Sequence, residues 1–134
     1  MKIYCLRLQP NDDLKLQLAK ICIDKNISAG CILSSVGSLK KLNLRLANSK
    51  GFLNRDENLE IISLNGTISK NGIHLHASVS DGTGQVLGGH VAEGNIIYTT
   101  CELIIADLQN FQFKREHDSN TGFQELQIIT SKTT

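Results

Sequence analysis

The sequence predicts an α+β fold, with a strongly bent, mostly antiparallel sheet of seven or eight strands and one main N-terminal helix. Three observations lead to this prediction. Only one segment of the 134 residues carries an apolar stripe of helical period. Most of the remaining chain alternates apolar and polar residues in short runs, and turn-forming Gly, Asn and Asp separate those runs. One helix beside many consecutive strands is typical of the α+β class.

The first strand and the helix are predicted from the N-terminal residues. Residues 2–8 alternate and carry β-favouring side chains, and residues 10–13 follow with a proline and two carboxylates that can cap a helix. The next apolar residues recur at i, i+4, i+7 and i+8, which places them on one helical stripe: Leu14, Leu18, Ile21 and Cys22. The helix is expected to end near Lys25 and Asn26, because Asn tolerates the left-handed conformation that follows a helix.

The remainder of the chain is predicted to form strands and turns. Residues 27–47 predict two strands joined near Gly37 and Ser38, and the polar residues 48–58 predict a loop. Six further strands are predicted at residues 59–69, 72–80, 86–90, 96–108, 111–116 and 123–129. Residues 81–84 superficially resemble a phosphate-binding loop, but no helix is predicted after them, so a hairpin turn is favoured. A polar cluster about the last turn is assigned a structural role: Arg115, Asp118, Thr121, Gly122 and Glu125.

Charge and composition argue against a protein that binds nucleic acid through its own charge and against a membrane-spanning helix. The chain has 14 Lys and Arg against 13 Asp and Glu, a formal net charge of +1, and it contains no Trp. A protein that bound nucleic acid through its own charge would show a basic excess, and the longest basic run here is Lys40-Lys41. No apolar stretch approaches the length of about 18 residues that a membrane helix needs.

A chain of this size is expected to form one domain, over residues 1–130, with a short polar tail at residues 131–134.

The four cysteines predict a reduced, cytoplasmic protein. They form no C-x-x-C pair, which argues against a zinc knuckle or a thioredoxin-like motif. Each lies in an apolar run, where a free cysteine behaves as a small buried hydrophobic residue: Cys5, Cys22, Cys31 and Cys101.

Histidines mark the segment with the clearest chemistry. Because side chains alternate across a strand, His74 and His76 share the face opposite the apolar residues of their strand, with Cβ atoms about 6–7 Å apart. His90 follows Gly88 and Gly89, two glycines that permit close approach by another backbone. Three of the four histidines thus fall within 17 positions. We interpret them as a cation site, with Zn²⁺ favoured over Fe, Ni or Co, while solvated or hydrogen-bonded histidines remain the alternative.

The histidine cluster is also compatible with a metal-dependent enzyme. Three protein ligands with an open fourth position are also the arrangement of catalytic zinc, and Glu93 and Glu102 are possible general bases, although each is equally typical of a surface carboxylate. Metal binding is expected to weaken below about pH 6, where imidazoles with the reference pKa of about 6.5 take up protons.

Five cations are candidates for weak contacts with DNA phosphates: Lys40, Lys41, Arg45, Lys50 and Arg55.

The chain closely resembles the plants-and-prokaryotes-conserved (PPC) domain. The resemblance runs in order along essentially the whole sequence. Its motifs are Ser35-Val36-Gly37-Ser38-Leu39 followed by Leu44-Arg45, the stretch 59–68, Gly72-x-His74-x-His76-x-Ser78-x-Ser80-Asp81-x-x-Gly84-x-x-x-Gly88-Gly89-His90, Thr99-Thr100-x-Glu102 and Arg115-x-x-Asp118-x-x-Thr121-Gly122-Phe123-x-Glu125-Leu126.

The resemblance implies a homotrimeric α+β domain. Such domains occur alone in bacteria and archaea, where they are labelled predicted DNA-binding proteins, and plant members join them to AT-hook segments. This chain lacks an Arg-Gly-Arg-Pro hook, its only proline being Pro10. His74, His76 and His90 match positions similar to the metal-associated histidines of prokaryotic members. The expected function is a homotrimeric binding or regulatory module, a predicted DNA-binding protein, that holds a divalent metal. The alternatives are a metal-dependent enzyme acting on a small molecule at His74, His76 and His90, and a protein that binds DNA in its own right, although any affinity for DNA is expected to be weak.

Overall fold

The structure is a computed structural model that describes residues 1–130, within which it has one helix and nine strands. The elements are β1 (Lys2–Leu8), α1 (Leu14–Asp24), β2 (Gly30–Arg45), β3 (Phe52–Arg55), β4 (Leu59–Ser69), β5 (Gly72–Ser80), β6 (Val86–Val91), β7 (Ile96–Asp107), β8 (Phe111–Asp118) and β9 (Phe123–Thr130). The predicted α+β class is confirmed. The tail predicted at residues 131–134 lies outside the described residues.

Seven of the strands form one antiparallel sheet in the order β1-β7-β2-β4-β5-β6, with β3 paired to β2. The end of β2 also pairs with β6, so β2, β4, β5 and β6 follow one another around a closed path. The pairing of β2 with β7 shifts register at three places, and each such irregularity bends a strand. The predicted strong bend of the sheet is therefore confirmed. Strands β8 and β9 form a separate two-stranded sheet.

Two element predictions are wrong in detail. Residues 27–47 do not form two strands, because β2 is continuous through Gly37. A Cβ atom added at Gly37 would lie 2.3 Å from the carbonyl oxygen of Thr100, so this glycine permits close approach of β7 and does not form a turn. The predicted loop 48–58 contains the short strand β3, whose Phe52 pairs with Arg45 at the end of β2.

The helix covers the inner face of the sheet. The Asp13 carboxylate accepts hydrogen bonds from the backbone N–H groups of Lys15 and Leu16 at 3.0 and 3.1 Å, as an N-cap. After the helix, Asn26 takes the predicted left-handed conformation, with φ 52°. Leu14, Leu18 and Cys22 are buried in one hydrophobic cluster with the inner residues of the sheet. This 11-residue helix is too short to cross a bilayer, and no other helix occurs within residues 1–130.

The cysteines differ from one another in burial. Cys22 and Cys101 are buried as predicted, and burial raises the pKa of the Cys22 thiol to about 11. Cys31 is partly buried. The prediction is wrong for Cys5, which is exposed because it lies on the outer face of β1, opposite Ile104 of β7.

Candidate metal centre

The three predicted histidines meet on the outer face of the sheet. His76 of β5 and His90 of β6 are directly opposite in the antiparallel register, and His74 lies two residues before His76 on the same face. The Nε2 atoms of His74 and His76 are 3.2 Å apart. One ring nitrogen from each histidine lies within 4.8 Å of the others. The predicted arrangement of the three side chains is therefore present in the structure.

Glycines allow the strands around this cluster to approach closely. A Cβ atom at Gly89 would lie 2.8 Å from the carbonyl oxygen of Arg45, and one at Gly66 would lie 2.1 Å from the carbonyl oxygen of His74. Gly89 therefore lets β2 pair beside β6, where Arg45 is opposite His90. The close backbone approach predicted for the Gly88-Gly89 pair is confirmed: β2 approaches Gly89, and at Gly88 an added Cβ would lie 3.1 Å from the carbonyl oxygen of Ala77 in β5.

The donor set fits a divalent transition metal. Zinc binds histidine nitrogens at about 2.0–2.1 Å, so two ligands of a tetrahedral ion are about 3.3 Å apart. The separation of 3.2 Å between His74 and His76 agrees with that geometry. The Nδ1 atom of His90 is buried and makes no hydrogen bond within the described chain. Coordination by a cation is one way in which a buried imidazole nitrogen of this kind is satisfied.

The surroundings favour the neutral form of two of the imidazoles, those of His74 and His90. Burial lowers the pKa of His90 to about 4, with further contributions from the positive charge of Arg45 and from His74. Partial desolvation and the neighbouring His76 and Arg115 lower the pKa of His74. Metal ligation requires the unprotonated ring, so these shifts favour the ligating form at neutral pH.

A cavity of about 710 Å³ opens beside the cluster. Strands β2, β5 and β6 and the β8–β9 hairpin form its walls; the lining residues are Arg45, Asn48, Gly72, Ile73, His74, His90, Arg115, Phe123, Gln124 and Glu125. Arg115 donates a hydrogen bond from Nη2 to the Thr67 hydroxyl oxygen at 2.9 Å. Gly72, with φ 149°, leaves space for it, since an added Cβ would lie 3.2 Å from the Cγ atom of Arg115.

The acids proposed as general bases lie elsewhere. Glu102 is exposed on β7 and lines a separate depression with Val36 and Ile104. Glu93 is exposed in the connection between β6 and β7. The acid that lines the cavity is Glu125, to which sequence analysis assigned a structural role together with Arg115. Docking of the hairpin places both residues in the cavity wall, where Arg115 also donates its hydrogen bond to Thr67, and their structural role stays a prediction.

Most of the candidate DNA-contacting cations are engaged with other groups. Lys40 donates to the side chain of Asn11. Lys41 faces Asp56 at 3.8 Å, and Arg55 faces Glu57 at 3.7 Å. Arg45 lines the cavity, and Lys50 is exposed. The structural positions of these five cations therefore add no support for DNA binding to that given by the sequence.

Comparison with known proteins gives one family and several related structures. The model of the Plants and Prokaryotes Conserved (PCC) domain, the PPC domain described above, matches residues 1–109. Two Synechococcus proteins named bifunctional protein GlmU are 44% and 41% identical over 128 residues. Both alignments cover 96% of this chain, which spans about a fifth of the length of those relatives.

Three solved structures share the fold and part of the sequence. A hypothetical protein from Salmonella enterica is 36% identical with a TM-score of 0.94, and the match covers 96% of this chain and 94% of that one. A candidate DNA-binding protein from Bacteroides thetaiotaomicron is 25% identical with a TM-score of 0.84, covering 93% and 91%. A metal-containing protein from Archaeoglobus fulgidus is 27% identical with a TM-score of 0.81, covering 95% and 94%.

Proposed function

The chain belongs to the Plants and Prokaryotes Conserved (PCC) domain family, and on that premise we propose that it is a binding or regulatory module whose His74, His76 and His90 side chains hold a divalent metal ion. The observation that carries the proposal is the convergence of three imidazoles, two of them 3.2 Å apart. The Archaeoglobus relative, described as metal-containing, supports it. Zinc is the metal we propose, because three imidazoles suit it and it commonly occupies such sites.

Metal analysis of protein purified without a histidine tag tests the proposal. Mass spectrometry under native conditions and elemental analysis should find one metal ion per chain. Protein that carries no metal, and that shows no saturable response to added Zn²⁺, would contradict the proposal.

The predicted weakening of metal binding below about pH 6 is expected to be smaller than free imidazoles would show. Protons compete with the metal as pH falls, and three imidazoles with the reference pKa of about 6.5 would lose roughly a thousandfold in affinity at pH 5.5. Because the pKa values of His74 and His90 are lowered, that of His90 to about 4, the loss should be clearly smaller. Competition with a chromophoric chelator at pH 7.5 and 5.5 measures it. A full thousandfold loss would show that the pKa values of His74 and His90 are not lowered.

We infer that the protein forms a homotrimer. The family resemblance implies this assembly, and the structure offers apolar side chains for an interface. Leu33 and Val36 of β2 are 53% and 60% exposed, and Ile104 of β7 is 38% exposed. Val36 and Ile104 line one depression on the outer face of the sheet. Contiguous exposed apolar surface of this kind is typical of interaction sites.

Light scattering is expected to give about three times the chain mass of 14.7 kDa. A Val36→Glu/Ile104→Glu variant should shift the mass toward that of the monomer, because unpaired carboxylates would be buried in the proposed interface. Exposed Ile62 provides the control, since Ile62→Glu places a carboxylate at another exposed apolar position. A wild-type monomer whose mass does not change with concentration would contradict the trimer.

Any affinity for DNA is expected to be weak, non-specific and steeply dependent on salt. A domain of net charge +1 has few side chains available to neutralise phosphates. Fluorescence anisotropy with a labelled duplex should show binding that weakens strongly between about 50 and about 200 mM salt. Tight binding to one duplex that stays unchanged over this range would contradict the prediction.

The cytoplasm is the compartment we propose. The four cysteines are free, and two of them are buried in the core. Reduced thiols are typical of proteins from a reducing compartment.

A metal-dependent enzyme remains the second candidate, favoured by one observation. The cavity beside the cluster is lined by Glu125, a carboxylate that could move a proton at the bound molecule. Assays with p-nitrophenyl acetate and p-nitrophenyl phosphate test this candidate. Turnover that Glu125→Gln removes while the metal stays bound would favour the enzyme over the binding module.

A further inference from the structure

We propose that the cavity beside the histidine cluster binds a small organic anion, with its carboxylate or phosphate group held by Arg45 and Arg115 next to the metal. This inference rests on the proposed metal site and extends it by giving the chemical class of its ligand. The site is built from two parts of the chain: the end of β2 carries Arg45, and the β8–β9 hairpin carries Arg115.

The charges that line the cavity are unbalanced. Two guanidinium groups are opposed by the single carboxylate of Glu125. None of the ion pairs within residues 1–130 involves Arg45 or Arg115, which leaves both groups available for a ligand. A divalent cation on the histidines would add two further positive charges. A partly buried site with this excess of positive charge favours an anion.

Both arginines are positioned by the fold. Arg45 lies opposite His90 in the pairing of β2 with β6, next to one proposed ligand of the metal. Arg115 is held by its hydrogen bond to Thr67, which is itself opposite His74 in the pairing of β4 with β5. Each arginine is only partly exposed. A guanidinium fixed in this way presents a planar set of donors that matches the oxygens of a carboxylate or a phosphate.

Size and wall chemistry indicate an organic anion. The volume of about 710 Å³ lies within the range of about 300–1,000 Å³ that is typical of small-molecule sites. Ile73 and Phe123 provide apolar surface for a carbon skeleton. Glu125 and Asn48 can accept hydrogen bonds from hydroxyl or amine groups of the same molecule.

Calorimetric titration of the zinc-loaded full chain tests the inference. The probes are succinate for a carboxylate and glycerol 3-phosphate for a phosphate, with succinamide and glycerol as their uncharged counterparts. Wild-type protein should bind at least one anion and neither neutral molecule. Arg45→Gln and Arg115→Gln should each weaken anion binding by about tenfold or more, the usual effect of losing a charge-assisted hydrogen bond. Arg55→Gln is the matched control, because Arg55 lies outside this cavity, and it should bind like wild type.

Metal content measured on the same samples separates this inference from the proposed function. Both cavity variants should still bind one zinc per chain. Stronger binding of succinate would assign the arginines to a carboxylate, and stronger binding of glycerol 3-phosphate would assign them to a phosphate; either result supports the inference. Zinc-loaded wild type that binds neither anion, or three arginine variants that behave alike, would overturn the inference alone. Wild-type protein that binds no zinc would contradict the proposed metal site, and this inference would fall with it.

Discussion

The double variant His74→Ala/His76→Ala is expected to lose metal binding while it keeps its fold. Loss of a group that hydrogen-bonds to a metal-ligating side chain lowers metal affinity by about 10–100-fold. Removal of two direct ligands should therefore lower metal affinity by at least about a hundredfold. Both side chains are exposed on the outer face of β5, whereas the core is formed by the alternate residues Leu75 and Ala77. The free energy of unfolding of the metal-free protein should therefore change by less than about 0.5 kcal/mol.

Zinc titration and urea unfolding measure the two effects separately. Unfolding has to be compared without metal, because an ion that binds the folded state adds stability to wild type alone. His117→Ala is the matched control, since His117 is exposed on β8 and lies outside the cluster. If wild type and the double variant respond identically to Zn²⁺, the three histidines are a solvated polar row and do not bind metal.

Gly66→Ala is expected to destabilise the protein strongly and to disturb the histidine cluster. The added Cβ would lie 2.1 Å from the carbonyl oxygen of His74 and 2.7 Å from the Cδ2 atom of Leu75. Since both atoms belong to the paired strand β5, the strands must move apart. Overpacking of this kind costs about 1–3 kcal/mol, and the rigid backbone contact places this variant at the upper end of that range.

Urea unfolding of Gly66→Ala should therefore show a lower midpoint, and its zinc affinity should fall because His74 moves with β5. Gly82→Ala is the control, since a Cβ at that exposed turn position would have no atom within 4 Å. Its free energy of unfolding should stay within about 0.5 kcal/mol of wild type. Equal stability of the two variants would show that β4 and β5 are not held as closely as the structure shows.

Local patterns in the sequence were sufficient for the elements that follow a single periodicity. The alternation in β1 and the apolar stripe of α1 each reflect the geometry of one element, and both were predicted closely. The same reasoning placed His74 and His76 on one face of β5, because side-chain direction in a strand depends only on its period of two. The glycines before His90 correctly predicted the close approach of a backbone without showing which strand approaches.

Features that depend on distant parts of the chain required the tertiary structure. Gly37 has the local signature of a turn, and only the approach of β7 shows that it lies within a continuous bent strand. Arg115 is 41 positions (115 − 74) from His74, and no local signal connects the two. Docking of the β8–β9 hairpin brings Arg115 and Glu125 into the cavity wall. The sequence by itself was therefore sufficient to predict the fold class and the grouping of the three histidines. Strand register and hairpin docking decided which residues surround the histidines, because those contacts form between segments far apart in the chain.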